Sequence, residues 1–518
     1  MDKSLRLGVT LSGVTSPDTS PDLGIRPAGH AESAKRTHYQ MTFAVLAAAV
    51  GGYALLQSLV VPVLPTIQAS LHTSQNMVTW VLTAYLLSAS VFTPIMGRLG
   101  DMFGKKRLLV VALVALALGS LLAALAGSIM VMIVARVIQG IGGGVLPLSF
   151  GIVRDEFPQH KVAGAVGVIA ALAAAGGGLG IVLAGPIVGA LNYHWLFWIP
   201  TIVLAGAVVA AVVVVPESPI RTAGRISWAA TVLLTAWLVA LILGISQGPT
   251  WGWLSSSVVG LVAAGLVLAV LWVIVESRSL HPLIDMKMMR VPTVWTTNVV
   301  ALLFGVAMYA VLAFLPEFLQ TPSSAGYGFT ASVTRSGLII LPLCLAMFCF
   351  GMLSGRLSRR YGARSVLMGG SFVTALTLLL LSLFHSQEWQ ILLEMAILGS
   401  GFGLAFAAMS NLVVEAVPPG QTGVASGMNA NIRTIGGSLG AAVMSSIVTA
   451  TAHHGGLPSE SGYTRGFGLL TIAALGAAFA AMAVPRARRI LRSGSDDTMP
   501  HAELALVAAG TLVGDESE

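Results

Sequence analysis

Apolar stretches long enough to cross a membrane recur along almost the whole chain, and they restrict its fold more than any other feature. They begin near residue 41 and end near residue 484 of the 518 residues. A run of about 20 apolar residues crosses the hydrocarbon core as a helix, and a helix satisfies its own backbone hydrogen bonds in lipid. The sequence therefore predicts an all-α polytopic membrane protein.

Hydropathy predicts about 14 membrane helices, with their ends set to within several residues. An even number of helices leaves both chain termini on the same side of the membrane. The predicted spans are 41–66, 76–97, 107–127, 129–150, 163–190, 195–215, 227–246, 255–276, 294–319, 331–354, 365–384, 389–412, 423–450 and 466–484.

The amino-acid composition excludes several other classes of protein. Charged residues make up 9% of the chain and hydrophobic residues 56%, whereas soluble domains carry about 25% charged residues. Two cysteines are too few for a disulfide scaffold. The net charge of +7 comes from basic residues scattered among short loops, so we expect no nucleic-acid partner.

The distribution of basic residues predicts the orientation in the membrane. With the N-terminus in the cytoplasm, 24 of the 28 Lys and Arg residues fall in the tails and inner loops, which is a strong positive-inside bias. Arg335 and Arg465 fall on the opposite side, and Arg136 and Arg433 fall within spans. Both termini are therefore predicted to be cytoplasmic.

A weak internal repeat relates the two halves of the chain. The segment 97–104, GRLGDMFG, recurs as GRLSRRYG at 355–362, and each copy follows the second span of its half in the same orientation. Such parallel repeats occur in transporters built from two six-helix halves. The predicted organisation is a disordered cytoplasmic tail at 1–38, a six-helix bundle at 39–220, an inserted helix pair at 221–285, a second six-helix bundle at 286–485 and a cytoplasmic tail at 486–518.

Three motifs resemble those of the major facilitator superfamily. Segment 97–107, GRLGDMFGKKR, is similar to its cytoplasmic loop signature, and segment 135–144, ARVIQGIGGG, is similar to its fourth-helix motif. Gly185, Pro186 and Gly189 match a fifth-helix motif that is typical of exporters. The resemblance runs from about residue 41 to 484 and, with the inserted pair, fits the 14-helix drug:proton antiporter branch.

This resemblance implies a function. It implies a major facilitator fold and a secondary exporter of hydrophobic or amphipathic small molecules, such as drugs or antibiotics, that exchanges them for protons by alternating access. It also implies a monomer in the lipid bilayer of a cell inner membrane, without a cofactor or a metal ion. The richness in Ala, Val, Gly and Leu is compatible with a bacterial source. We find no phosphate-binding loop, no H-E-x-x-H motif and no G-x-S-x-G motif in the chain, so no enzymatic activity is predicted.

The loop signature predicts a conformational gate. Glycines suit a sharp turn between helices, and Asp101 can stabilise a helix N-terminus or pair with a nearby arginine. Such contacts would hold the inner end closed and break as the halves move; a tight turn that only fixes topology is the alternative. The predicted gating residues are Gly97, Arg98, Asp101, Gly104, Lys105, Arg107 and Asp155.

Proton coupling needs a titratable residue, and the first helix lacks the expected one. Gln57 stands where drug antiporters of this branch commonly carry an aspartate, and glutamine cannot exchange a proton near pH 7. In the family, the arginine that matches Arg136 is linked to coupling, and Gln139 lies one turn away on the same face. Buried glutamates also suit proton exchange, so Glu394 is ranked first and Glu317 second, with an interfacial role as the alternative for each.

The predicted substrate cavity lies between the two halves. Its candidates by depth are Tyr53, Gln57, Tyr85, Asn298, Tyr309 and Arg433, followed by Trp80, Asn411, Asn429 and Asn431.

Two other functions stay open. An uncoupled or narrowly specific metabolite carrier is suggested by Gln57. A proton-pumping respiratory subunit is a remote alternative, because such subunits need intramembrane lysines and all six lysines of this chain lie in tails or loops.

Overall fold

The protein is entirely helical in the part of the chain that the structure describes. The computed structural model describes residues 28–218, 227–279, 282–450 and 458–485. Within them, 14 helices are long and apolar enough to cross a membrane, which confirms the predicted number. Helix α1 begins at Ala28, inside the predicted tail at 1–38. Residues 1–27 and the predicted tail at 486–518 lie outside the described residues.

The helices follow the order predicted from hydropathy. The first half contains α1 (Ala28–Ser58), α2 (Leu64–Ser70), α3 (Gln75–Phe103), α4 (Lys105–Ala124), α5 (Ile129–Gly140), α6 (Val145–Glu156), α7 (Gln159–Ala190) and α8 (Trp195–Val214). The inserted pair is α9 (Trp228–Trp251) and α10 (Ser256–Arg278). The short α11 (Met286–Met289) leads into α12 (Pro292–Gln320), α13 (Val333–Tyr361), α14 (Ala363–Leu383), α15 (Glu388–Ala416), α16 (Thr422–Ala450) and α17 (Glu460–Met482).

Two spans of the first half are interrupted by a 3₁₀ turn, and the sequence explains both interruptions. Helices α1 and α2 form one span whose break at Val61–Val63 contains Pro62, and proline removes a helical hydrogen bond. Helices α5 and α6 form another span, broken at Ile141–Gly144. The three glycines of that turn are buried, so neighbouring helices approach the backbone closely.

Each half is a bundle, and two seams join the halves. In the first half α7 packs against α1, and in the second half α16 packs against α12. Between the halves, α3 packs against α16 and α7 packs against α13. The internal repeat relates α3 to α13 and α7 to α16, so the two seams are related by the same repeat.

The inserted pair lies beside only one of these seams. Helix α9 packs against α10, α16 and α3. Trp237 on α9 belongs to a buried apolar cluster, and its ring centroid is 5.8 Å from that of Trp272 on α10. In the turn between the two helices, Trp253 Nε1 donates a hydrogen bond to Ser446 Oγ on α16 at 2.7 Å. The pair therefore covers the α3–α16 seam.

The α7–α13 seam is built from backbones in close contact. A Cβ atom on Gly185 would lie 2.7 Å from the amide nitrogen of Thr334, and a Cβ atom on Gly337 would lie 2.9 Å from Cα of Val182. Near the other end of the seam, a Cβ atom on Gly355 would lie 3.1 Å from Cα of Gly164. Small residues permit such close helix packing in membranes, and here they permit it from one end of the seam to the other.

The exporter-type motif on α7 provides a matched pair of substitutions. Gly185→Ala should destabilise the protein by about 1–3 kcal/mol, because the new methyl group would overlap the backbone of Thr334. Gly189→Ala should leave stability unchanged or slightly raised, because no atom lies within 4 Å of a Cβ there. Thermal unfolding of the purified variants in detergent measures both effects, and equal melting temperatures would contradict the described packing.

Candidate functional site

A cavity of about 270 Å³ lies between the two halves. The first half lines it mainly from α1, α3 and α7, and the second half lines it from α12, α15 and α16. Five of the six leading candidates line it: Tyr53, Gln57, Tyr85, Tyr309 and Arg433. This volume is near the lower end of the range for drug-sized ligands, about 300–1,000 Å³.

Asn298 is not among the residues that line the cavity, contrary to the prediction. It lies on α12 and accepts a hydrogen bond at Oδ1 from Asn429 Nδ2 on α16 at 2.9 Å. Its side chain is 6% exposed. Depth along a helix was a poor guide here because it does not reveal which face of α12 points to the neighbouring helix of the same half. Of the four secondary candidates, Asn431 lines the cavity, while Trp80, Asn411 and Asn429 are not among the lining residues.

Arg433 is the single charged side chain among the described residues that line the cavity. Its guanidinium carbon lies 4.2 Å from the centre of the Phe406 ring, which is a cation–π contact. The guanidinium also interacts with the side chains of Tyr309 and Tyr53, whereas its Nε atom is buried without a hydrogen-bond partner. Phe406 was missed in the sequence analysis, because nothing in the pattern separates it from the other apolar residues of α15.

Arg136 lies behind the cavity wall and is completely buried. Its Nε atom donates to the carbonyl oxygen of Val81 at 3.0 Å, and Nη1 donates to Gln139 Oε1 at 2.8 Å. Gln139 Nε2 donates in turn to Ser120 Oγ at 3.1 Å. The guanidinium stacks over the ring of Tyr85 at 4.5 Å, so a cavity-lining tyrosine separates Arg136 from the cavity.

The contacts that close one end of the protein lie between α3 and α16. Asp101 is fully buried, and its Oδ2 atom accepts a hydrogen bond at 3.3 Å from the amide of Val424 in the first turn of α16. A helix N-terminus attracts negative charge, because its first amides are unsatisfied and its dipole is positive there. Close by, a Cβ atom on Gly97 would lie 2.5 Å from the carbonyl oxygen of Gly423. We call this end of the protein the gate end.

Lys105 lies between two aspartates at the gate end. Its Nζ atom is 2.5 Å from Asp155 Oδ2 and 3.7 Å from Asp101 Oδ1, and all three side chains are completely buried. Asp155 also accepts a hydrogen bond from Ser218 Oγ. The structure thus brings together three of the predicted gating residues. We call Asp101, Lys105 and Asp155 the gate triad.

A further contact between the halves comes from Arg154, which was not among the predicted gating residues. Its Nη1 atom donates to the carbonyl oxygen of Val414 at 2.5 Å and to Thr422 Oγ1 at 2.8 Å. These acceptors lie at the end of α15 and the start of α16. The sequence suggested an inner loop for Arg154 and Asp155, whereas the structure places both in the last turn of α6. The sequence also could not reveal acceptors more than 250 residues away.

The remaining gating candidates have other surroundings. Gly104 has φ 113° and ends α3, which explains the glycine. Beside it, Glu217 accepts from the Lys106 amide at 3.2 Å and lies 3.5 Å from Arg107, whose side chain is 68% exposed. Arg98 is buried and interacts electrostatically with Asp101.

The two glutamates ranked for coupling differ in burial. Glu394 is 5% exposed, and its Oε2 atom has no hydrogen-bond partner. Glu317, near the end of α12, is exposed. Neither glutamate is among the residues that line the cavity.

Comparison with known proteins identifies the family of this chain. The family model described as Major Facilitator Superfamily matches residues 46–441. The chain belongs to the major facilitator superfamily. It is therefore a multi-pass membrane transporter, and the prediction made from its motifs is confirmed. Membership of this superfamily also removes the respiratory-subunit alternative.

Individual relatives carry names that refer to multidrug resistance or to antibiotic resistance and export. The "Multidrug resistance protein B homolog" of Mycobacterium tuberculosis (strain ATCC 25618 / H37Rv) is 30% identical over 424 residues, which are 77% of this chain and 76% of that protein. The "Tetracenomycin C resistance and export protein" of Streptomyces glaucescens is 29% identical over 406 residues, which are 77% of this chain and 74% of that protein.

A solved structure supports the fold. The crystal structure of the human organic anion transporter MFSD10 covers 85% of this chain and 99% of its own chain, with a TM-score of 0.65 and 16% sequence identity. Because the identity is low, this likeness concerns the fold alone.

The gate triad predicts a large difference between two neighbouring lysines. Lys105→Met should destabilise the protein by about 3–5 kcal/mol, because it leaves two buried carboxylates without their shared cation. Lys106→Met should cost less than about 1 kcal/mol, because Lys106 contributes a single hydrogen bond to the Val212 carbonyl from a partly exposed position. Thermal unfolding in detergent compares the two variants.

A double substitution provides the control for this prediction. Adding Asp155→Leu to Lys105→Met removes one of the two carboxylates that the single substitution leaves without a cation. The double variant should therefore recover part of the lost stability. Equal losses for Lys105→Met and Lys106→Met, or a fully additive double variant, would contradict the role of the triad.

Proposed function

We propose that the protein exports hydrophobic or amphipathic small molecules across a bacterial inner membrane by alternating access, as a drug-efflux transporter. The observation that carries this proposal is a cavity between two repeat-related halves that is sealed at the gate end by Asp101 and Val424. Relatives named for multidrug resistance and for antibiotic export support the direction of transport. A single chain forms the whole cavity, which is consistent with a monomer.

The geometry of the seal supports an inward-closed state. On α3 the cavity-lining residues lie between Leu82 and Thr93, whereas the contacts with the start of α16 begin near Gly97. We assign the gate end to the cytoplasm, because basic side chains such as Lys105 and Arg154 concentrate there. The cavity would then lie on the outer side of the seal.

The seal can open because few polar contacts maintain it. One carboxylate at a helix N-terminus, one guanidinium on two acceptors and one long hydrogen bond of 3.5 Å from Lys105 Nζ to the Pro419 carbonyl oxygen cross between the halves at the gate end. When the halves rock, these groups can replace their hydrogen bonds to one another with hydrogen bonds to water. The net free-energy cost is small, because a hydrogen bond that water can replace contributes little to stability. The close glycine contact between Gly97 of α3 and Gly423 of α16 would allow these two helices to slide without a change in side-chain packing.

Proton coupling is proposed to act outside the cavity. Gln57 lines the cavity and cannot exchange a proton, and the described lining residues include no carboxylate. Glu394 is a buried acid on α15, the helix that also carries Phe406 beneath Arg433. Twelve residues of helix separate the two positions, about 18 Å. Protonation of Glu394 would therefore act through a movement of α15.

An uncoupled or narrowly specific carrier is the second candidate. It is favoured by the same observation, because a cavity lined without an acid has no group that could exchange a proton for the cargo.

Export is tested by loading a pump-deficient bacterial host with lipophilic dyes and antibiotics of both charges and following their efflux. Expression of the protein should accelerate efflux of at least one compound, and Asp101→Asn should slow it by about tenfold. That factor corresponds to about 1.4 kcal/mol lost from the sealed state, because the neutral amide is held less strongly at the start of α16. Asp285→Asn is the control, since this carboxylate accepts from the Lys287 amide and from Gln421, both of which lie outside the first half.

The failure of every compound to leave faster than in the empty host would contradict export. Normal efflux by Asp101→Asn would contradict the proposed gate.

Coupling is tested on two glutamates of the same helix. Glu394→Gln should abolish efflux that depends on the proton gradient, because glutamine cannot release a proton. Glu388→Gln should transport normally, because this partly exposed residue pairs with Arg335 at 2.6 Å near the start of the same helix. The measurement is efflux with and without a protonophore. Efflux that persists after collapse of the gradient would favour the uncoupled carrier.

A further inference from the structure

We propose that the central cavity selects negatively charged aromatic amphiphiles, molecules that carry a carboxylate, sulfonate or ionised phenol on an apolar ring system. This inference rests on the proposed function, because it specifies the cargo of the same cavity. The pairing of a ligand anion with Arg433 is its central element.

The charge in and around the cavity has one sign. Arg433 lines the cavity and Arg136 lies directly behind Tyr85. Within the described residues, no carboxylate lies within ion-pair distance of either guanidinium. Charged groups inside a membrane are costly and are usually paired. Two buried arginines without an acid therefore leave a positive site that an anion would neutralise.

Two groups in the cavity wall are free to donate hydrogen bonds. The Nε atom of Arg433 and the hydroxyl of Ser90 are buried, and neither has a hydrogen-bond partner. Both residues line the cavity. An arginine can only donate hydrogen bonds, and bonds from an arginine to an anionic oxygen are about twice as strong as neutral ones. The cavity wall can therefore donate hydrogen bonds to a negatively charged acceptor on a ligand.

The remaining walls suit an aromatic body. Tyr53, Tyr85 and Tyr309 line the cavity together with apolar residues such as Met308 and Leu312. Aromatic rings pack favourably against other aromatic rings, and methionine adapts to irregular shapes. A lipophilic cation would also find these walls, but it would meet the repulsion of Arg433 without a compensating acid.

The test compares two dyes that share a xanthene ring system and differ in charge. Fluorescein is anionic at pH 7.5 and rhodamine 123 is cationic, and fluorescence anisotropy measures the binding of each to the purified full-length protein in neutral detergent. Wild-type protein should bind fluorescein at least about tenfold more tightly. Arg433→Gln should remove this preference by weakening fluorescein binding about tenfold or more, whereas Arg433→Lys should retain most of it.

Two further variants keep the test decisive. Gln57→Glu introduces a carboxylate into the cavity wall and should weaken fluorescein binding while strengthening rhodamine binding. Arg335→Gln is the control, because Arg335 pairs with Glu388 and is not among the residues that line the cavity. It should bind both dyes as the wild type does. If Arg433→Gln does not fold, the ratio of the two dye affinities in the wild type and the change of that ratio in Gln57→Glu still test the proposal.

The inference is overturned if the wild type binds rhodamine 123 as tightly as fluorescein, if Arg433→Gln leaves the ratio unchanged, or if neither dye binds. These outcomes leave export standing, provided that the efflux assay shows transport of a cationic compound that Asp101→Asn slows. Absence of efflux for every compound would overturn export itself, whatever the dyes bind.

Discussion

The closed gate end depends on a buried carboxylate that joins the two halves. Asp101 comes from the end of α3, and it accepts a hydrogen bond from Val424 at the start of α16, more than 300 residues later. Burial of an aspartate is tolerated because the helix N-terminus and Lys105 both favour its negative charge. Asp101 belongs to the gate triad of the first half and also caps a helix of the second half. The packing of the gate triad and the closure of the gate end therefore depend on the same carboxylate.

The two buried arginines, unlike Asp101, have no oppositely charged partner among the described residues. Arg136 is supported by a carbonyl, an amide side chain and the ring of Tyr85, and Arg433 by the ring of Phe406. Neutral acceptors and aromatic faces hold a guanidinium in position without cancelling its charge. The gate end thus contains compensated charge and the cavity contains uncompensated charge. We infer from this division that the charges of the gate end stabilise the closed contact between the halves and that the charges of the cavity recognise a ligand.

The sequence allowed the prediction of contacts that lie within one helix or one loop, and it failed for contacts between distant helices. The pairing of Arg136 with Gln139 was predictable because residues three apart share a helix face. The number and order of helices followed from hydropathy, which acts segment by segment. The acceptors of Arg154 and the pairing of Asn298 with Asn429 depend on how two helices are rotated against each other. Apolar periodicity is weak in helices that face lipid on one side and protein on the other, so this rotation could not be read from the pattern.

The inserted pair makes the two repeat-related seams mechanically unequal. Helix α9 packs against α3 of one half and α16 of the other, while Trp253 ties the turn after it to Ser446 of α16. In the alternating access proposed above, rocking of the halves would shear α9 along α3, with the pair carried by the second half. The inserted pair does not cover the α7–α13 seam in the part of the chain that the structure describes, and we infer that this seam is the pivot. The two repeat-related halves would then move about a hinge with a fixed side and a sliding side.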